Sequence, residues 1–531
     1  MMKLKKLSAL LLSALMVLSL LAGCGGGNSG NDGGADADGI VTLTLFDKNS
    51  GSKTFTDQVA EKIMADTGVR LSVENPSGDP SEKLNLMLAG SNYPDIVLMG
   101  QGEIVNRYIE AGALVELDDY IEQSSTIKEM YGDTLNKIKA EDGHHYWLAN
   151  WYGVDPDASV GVLMRRDFLA EIVGEERAKS TEPFTQSEYL DILRQFKQLH
   201  PDVDGKASIP LTVVSSEDGG YGSLKGMFGL KYYYEAPDGT LQHWTKDPQY
   251  MEAMYFMNDL STNGLLDKEW IVNKDEQWKQ KLSGGYVFST FGAYWDTDDV
   301  NTTLSATYGE DAQFYLYKVV ADNLTADKTT YNGRSTLGWD AIGITKNCKN
   351  VDAAMRLIEY LVSEEGQYLL MWGIEGEHWT MENGVHVPNE EIFQGLLNDF
   401  ESTSNDTGIR KWTWFVKNGF GSDGTPYDLT TKYQMTDTAA FANEVIGESD
   451  AWDTAEFSGL EPAGSTPLGL QWQKVADVMN QNYSKIVEAA DHSAADAAYN
   501  SMIEEMNASG LESCEEYITE QYQARMKLWN G

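Results

Sequence analysis

The chain has 531 residues, too many for a single compact core, and its length points to roughly two to four domains, with two lobes the expectation. It carries 82 acidic residues against 40 basic ones, a formal net charge of −42. A surface of that sign repels nucleic acid and anionic lipid, so polyanion-binding roles are excluded and neutral or cationic ligands are left.

The first segment places Lys3, Lys5 and Lys6 before an apolar run over 7–21 that ends in Leu21-Ala22-Gly23-Cys24. Basic residues, an apolar run and then small residues are the order of a secretory signal, and the run is shorter than the roughly 20 residues that span a bilayer. The residues at the cut resemble the lipobox of bacterial lipoproteins. That resemblance implies removal of 1–23, Cys24 as the first mature residue and lipid chains on it that tether the protein to the outer face of the cell membrane. An ordinary signal peptide with full release is the other reading. Without its signal the chain keeps 37 basic against 82 acidic residues, a net −45. Residues 24–39 are Gly, Asn, Ser, Asp and Ala with almost nothing to bury, a flexible linker that reaches about 20 Å. Gly25, Gly27 and Gly30 fit GxGxxG, but no strand precedes them and no helix follows, which rules out a nucleotide loop.

Val41, Leu43 and Leu45 then alternate as a strand, Phe55, Val59 and Ile63 mark a helical face, and Thr67-Gly68 stops it before Val69, Leu71 and Val73 resume alternation. Leu84, Met87 and Leu88 give a second helix and Ile96-Val97-Leu98-Met99 a third strand. Strand, helix, strand, helix, strand predicts a parallel sheet, whose ligands lie beyond the carboxyl ends of the strands. Asp47, Lys48 and Asn49, Glu74 and Asn75, and Gly100 and Gln101 stand at those ends, although each taken singly also reads as an ordinary turn residue. Ile104, Tyr108 and Ile109 predict another helix, and Asp142-Gly143 a turn before an aromatic stretch that contains Trp147, Trp151 and Tyr152.

A second α/β pattern starts at Val160, with Val162-Leu163-Met164 as a strand and a helix opening over 165–168. Thr185 and Glu188 form a capping box ahead of an apolar stripe of Tyr189, Ile192, Leu193, Phe196 and Leu199. Helices are predicted over 248–262 and 351–362, and the last quarter reads as mostly helical through Trp472, Val475, Met479, Tyr483 and Ile486 and on to Tyr522. Cys348 and Cys514, the cysteines left once Cys24 is assigned to the anchor, form no disulfide framework and no metal cluster; two buried free thiols are the expectation over a bridge.

Catalytic patterns are nearly missing. There is no HExxH and no GxSxG, and Gly205-Lys206 lacks the P-loop spacing. Paired carboxylates for glycoside hydrolysis stay open, because sequence spacing does not give their separation in space. The positive signal is aromatic: 14 Trp, 27 Tyr and 16 Phe, several beside Gly and polar groups, as in Tyr294-Trp295-Asp296, Gly338-Trp339-Asp340, Trp372-Gly373, His378-Trp379 and Trp412-Thr413-Trp414. Sugar rings present apolar C–H faces and hydroxyl edges, which suit aromatic platforms ringed by carboxylates and amides. Core packing is the competing explanation for any one tryptophan.

The order of short motifs resembles the extracellular solute-binding proteins of ABC importers, in the large family of lipoprotein sugar binders. The matching pieces are the stretches 86–90 and 93–97, Gly112-Ala113-Leu114 with 117–121, 166–169, 264–267, Glu364-Glu365-Gly366 and 373–379. The resemblance implies an α/β, two-lobed periplasmic-binding-protein-like fold with an inter-lobe ligand cleft. It assigns 40–150 with about 335–373 to lobe 1, and 151–334 with about 374–531 to lobe 2. It further implies a monomeric receptor without cofactor that passes an oligosaccharide to ABC permease subunits. Trp295, Trp151, Trp339, Trp372 and Trp379, with Tyr294, are the expected stacking residues, and Asp47, Asn49, Asp296 and Glu377 the expected hydroxyl partners. Alginate-binding relatives carry a calcium loop that matches 200–210 here, where Asp202, Asp204 and Gly205 persist but His200 replaces the leading acid; no metal is expected. The rival readings are a peptide or other small-solute receptor of the same fold and a surface glycoside hydrolase.

Overall fold

The computed structural model describes residues 35–530 apart from 52, 156, 159, 215–220, 433–435, 448–449 and 465; the signal segment and Cys24 lie outside the described residues. In the first sheet Val41–Asp47 runs parallel to both Val69–Glu74 and Ile96–Gly100. Asp340–Ile344 lies antiparallel beside Ile96–Gly100, with Leu148–Asn150 antiparallel beyond it. The helices between the parallel strands are set by their caps. Asp57 accepts the Ala60 N–H to start Gln58–Thr67, and Gly68, left-handed at φ 66°, ends it. Asp79 caps Pro80–Gly90, with proline at the first position, where no amide donor is needed.

The stretch expected in the second lobe from about 374 instead returns to the first core through Trp379, Leu396, Ile409, Trp412, Trp414 and Leu429. The physical reason is the amount of apolar ring in this stretch, which the first sheet buries. The chain rejoins the second core at Phe441.

The second core surrounds a sheet in the order Phe314–Tyr317, Val160–Arg165, Val287–Ala293, Ile209–Thr212. Ile209–Thr212 is parallel to Val287–Ala293, and the other pairings are antiparallel. The Thr185–Glu188 capping box forms and starts Gln186–Leu199, which buries Tyr189, Ile192, Leu193 and Phe196. Leu199, expected on that buried stripe, is exposed at the helix end. Pro467–Val487, His492–Ala508 and Leu511–Asn530 complete this side. Cys348 and Cys514 are both buried and free.

Two segments that cross between the cores run against each other. Trp151 adopts φ 61°, and after it the Gly153 N–H donates to the Thr336 carbonyl at 2.8 Å. Gly338, at φ 63°, passes so close to the carbonyls of Asn150 and Trp151 that any side chain there would collide with them. Further along the second crossing, Asn332–Arg334 pairs parallel with Ala451–Asp453 of a third segment. The Asp453 carboxylate accepts from the Thr336 N–H at 2.9 Å and its hydroxyl at 2.7 Å, and pairs with Lys137 of the first lobe at 2.7 Å. This joint is polar.

Candidate ligand-binding site

A cavity of about 780 Å³ opens on the second lobe where Ile209–Thr212 and Val287–Ala293 end. The fully buried strand Val287–Ala293 runs into a short 3-10 turn, Tyr294–Thr297, and delivers Trp295 to the cavity wall 43% exposed. The turn is fixed by Asp296, whose carboxylate accepts the Ala293 N–H at 2.8 Å. Burial pushes the Asp296 carboxyl above its ordinary range despite that donor. Trp452 forms a second wall. Its indole N–H donates to the Thr330 carbonyl at 3.2 Å, and its ring lies over Gly333, where a side chain would overlap it.

Tyr232 leans on Trp452 with ring centroids 6.1 Å apart, and Lys231 sits 5.7 Å from the same indole. Lys225 lies 4.1 Å over Trp244, and Glu461 accepts the Tyr233 hydroxyl at 2.5 Å. His243 backs this wall: its Nδ1 accepts from the Thr245 N–H, and burial, then the charges of Lys225 and Lys246, bring it down to about 3. Flat apolar faces edged by charged and hydroxyl groups are what a sugar ring needs.

At the carboxyl edge of the first sheet, Trp151 and Trp339 stack at 5.5 Å with 17° between their planes. Trp339 is 54% exposed, and its carbonyl accepts the Gln101 N–H at 3.2 Å, which ties the pair to the end of Ile96–Gly100. Asn49, exposed at the end of the first strand, donates to Asp340 at 2.8 Å. Asp47 turns the other way. It is buried, accepts the Trp414 indole N–H at 2.9 Å and the Asn49 N–H at 2.8 Å, and burial raises its carboxyl above the usual range. It is a core acceptor and does not face a ligand.

Three further expectations are corrected. Trp372 is 1% exposed and donates to the carbonyls of Pro426 and Tyr427; Trp379 is 8% exposed and donates to Gly373 at 2.9 Å. Both belong to the first core, because each indole found an internal acceptor. Glu377, exposed on the turn before Trp379, does not line the cavity. The structure therefore brings Trp295 and Asp296 into the cavity with Tyr294 behind them, pairs Trp151 with Trp339 at the sheet edge, and removes Trp372, Trp379, Glu377 and Asp47. Tyr232, Trp244 and Trp452 were not foreseen, although Trp452, followed by Asp453, has the same setting as Trp295 followed by Asp296. In the calcium-loop stretch Asp202–Val203 pairs with Lys206–Ala207, and Asp204 accepts the Tyr308 hydroxyl at 2.7 Å.

These features define a two-lobed binding protein, and the chain belongs to the bacterial extracellular solute-binding proteins, whose family model matches residues 58–374. It is 24% identical over 431 residues to Lipoprotein LipO of Bacillus subtilis (strain 168), covering 78% of this chain and 81% of the relative. It is 23% identical over 401 residues to the fructooligosaccharide ABC transporter substrate-binding protein FusA of Streptococcus pneumoniae, covering 70% and 71%. Among solved structures, the HMO binding ABC-transporter associated solute binding protein of Bifidobacterium longum infantis superposes with a TM-score of 0.66 at 16% identity, covering 92% of this chain and 99% of that one. That likeness concerns the fold. No described helix is long and apolar enough to cross a membrane.

Proposed function

We propose that this chain is the substrate-binding lipoprotein of an ABC importer, held at the outer face of the cell membrane through Cys24, and that it takes up a neutral oligosaccharide as a monomer and delivers it to permease subunits. The observation that carries this reading is the exposed Trp295 in a cavity shared with Trp452 and Tyr232, at the strand ends beside the crossing segments. The name of FusA supports the ligand class, and the name of LipO supports the anchor. Trp295, Trp452 and Tyr232 take sugar faces from the second lobe. Trp151 and Trp339 meet the ligand from the first when the lobes close, while Asp296 and Asn49 bond hydroxyls. The first lobe in this reading holds about 40–150 and 335–429, and the second the remainder.

Titration calorimetry of the mature protein against kestose, a panel of other neutral oligosaccharides, a uronic acid oligosaccharide and a peptide tests the assignment. Heat with a neutral glycan is expected. Heat with the peptide alone overturns it, and new reducing ends in the glycan mixtures would make the protein a hydrolase.

A further inference from the structure

Trp295 stands exposed on the cavity wall, yet its indole N–H makes no hydrogen bond to the described residues, so its orientation depends on what presses against its ring. Two groups do. The Arg334 guanidinium carbon lies 5.7 Å from its centroid, and Tyr294 meets it edge-on at 4.9 Å and 78°. Both are held by the first crossing segment. Arg334 pairs with Asp155 and donates to the Ala158 carbonyl at 3.2 Å. The Tyr294 hydroxyl donates to the Asp157 carboxylate at 3.0 and 3.2 Å.

Arg334 itself belongs to the second crossing and pairs through its backbone with the third, its carbonyl accepting the Thr454 N–H at 3.0 Å. The backbone of Ala158 in turn donates to Asn443 at 2.6 Å. One acidic stretch of the joint thus grips both supports of the platform tryptophan.

We propose that Asp155 and Asp157 are positioning residues that set the Trp295 ring from the joint, so that rotation of the lobes and presentation of the platform are a single event. The value of this for ligand capture rests on the oligosaccharide reading above; the positioning itself does not. In an open protein whose crossing segments have shifted, Asp155 and Asp157 no longer hold Arg334 and Tyr294 in this arrangement, and the platform loosens. Closure restores both grips together. The ligand then meets a ring already fixed, which lowers the ordering cost of binding.

The test has a ligand-free arm and a ligand arm. The mature protein is labelled with 5-fluorotryptophan, and the Trp295 fluorine resonance is assigned by its loss in Trp295→Phe. Asp155→Asn and Asp157→Asn are expected to shift or broaden that resonance while those of Trp372, Trp379, Trp412 and Trp414 stay in place. A Trp295 signal unmoved in both variants, or all tryptophan signals moving alike, overturns the proposal.

In the second arm, affinity for kestose or the tightest glycan of the panel is expected to fall about five- to tenfold in Asp155→Asn. Added to Trp295→Ala, the same change is expected to cost nothing further. Full additivity means that Asp155 acts on the hinge and not through Trp295. If the unaltered protein binds no glycan, the ligand reading fails while the fluorine spectra still decide the positioning.

Discussion

The tryptophans of the first lobe and those around the joint share a residue type and have opposite fates. Trp372, Trp379, Trp412 and Trp414 are buried, and every one of their indole N–H groups has an internal acceptor: backbone carbonyls for the first two, Asp57 at 2.6 Å and Asp47 at 2.9 Å for the others. Trp151, Trp295 and Trp339 make no such bond among the described residues; Trp295 and Trp339 are exposed, and Trp151 lies half-buried beneath Trp339. Burying an indole costs the hydrogen bond its N–H makes with water unless the interior offers an acceptor. Yet Trp452 bonds the Thr330 carbonyl and still walls the cavity, and Trp270 is buried with no acceptor among the described residues, so acceptor and exposure together separate core from platform.

The harshest way to break that contrast is Trp412→Ala. Trp412 packs beside Trp414 with centroids 4.9 Å apart, and its N–H shares the Asp57 carboxylate with Lys411 and the cap of Gln58–Thr67. Truncation leaves a cavity and removes one donor from a buried carboxylate, with an expected loss of about 3–5 kcal/mol in chemical denaturation. Affinity per folded molecule should not change. A loss of affinity without a loss of stability would make this indole a ligand contact after all.

Acid sharpens the comparison in the other direction, because the lobes respond in different pH windows. His243 behind the second-lobe wall is held neutral down to about 3, so the unfolded chain binds the extra proton first. Its contribution is whole above the unfolded value near 6.5 and is lost as pH falls from there toward 3, on the order of 2–3 kcal/mol by pH 4.5. In the first lobe, burial raises the Asp423 carboxyl, but the Thr425 N–H, His386 and the Thr425 hydroxyl outweigh it and bring it to about 2. That contribution is lost only as pH falls below the ordinary carboxylate range toward 2. Melting followed from pH 7 to 4.5 should therefore weaken the second lobe first, and His243→Gln should flatten the slope; an unchanged slope assigns the acid sensitivity elsewhere.

Trp295→Ala comes next, with about 2 kcal/mol of glycan affinity lost in calorimetry and the melting temperature kept, as for a ring whose exposed face is its working surface. A drop in melting temperature of the Trp412→Ala kind would return Trp295 to the core class.

Much of the frame was legible because it is local. The alternation of Val41, Leu43 and Leu45, the Gly68 stop and the Thr185–Glu188 box each act within a few residues, and all appear in the structure. The return of 379–429 to the first core was not legible, since Trp412-Thr413-Trp414 reads as a platform until Asp47 and Asp57, more than 350 residues earlier in the chain, are seen to accept its indoles. Trp372 finds its acceptors 54 and 55 residues on, at Pro426 and Tyr427, while Trp379 bonds the nearby Gly373 carbonyl and is hidden by its packing against the first core, which its sequence neighbours do not reveal. Trp452 was missed because it enters the cavity only through the pairing of Ala451–Asp453 with Asn332–Arg334, a contact that no local pattern announces.

The smallest expected effect belongs to Trp339→Ala, and it ranks the two platforms. Trp295 has an edge-on tyrosine and a guanidinium for support, so its loss leaves no parallel ring to take its place. Trp339 lies flat on Trp151, so its removal forfeits the pair contact, about 0.5–1.5 kcal/mol, but uncovers the ring beneath. A ligand that reaches the first lobe then finds Trp151 one ring thickness further away. Glycan affinity should fall only about threefold, less for a disaccharide than for a longer chain, and Trp339→Phe should restore most of it. If Trp339→Ala weakens binding more than Trp295→Ala does, the first lobe holds the principal platform and the second-lobe cavity is the secondary contact.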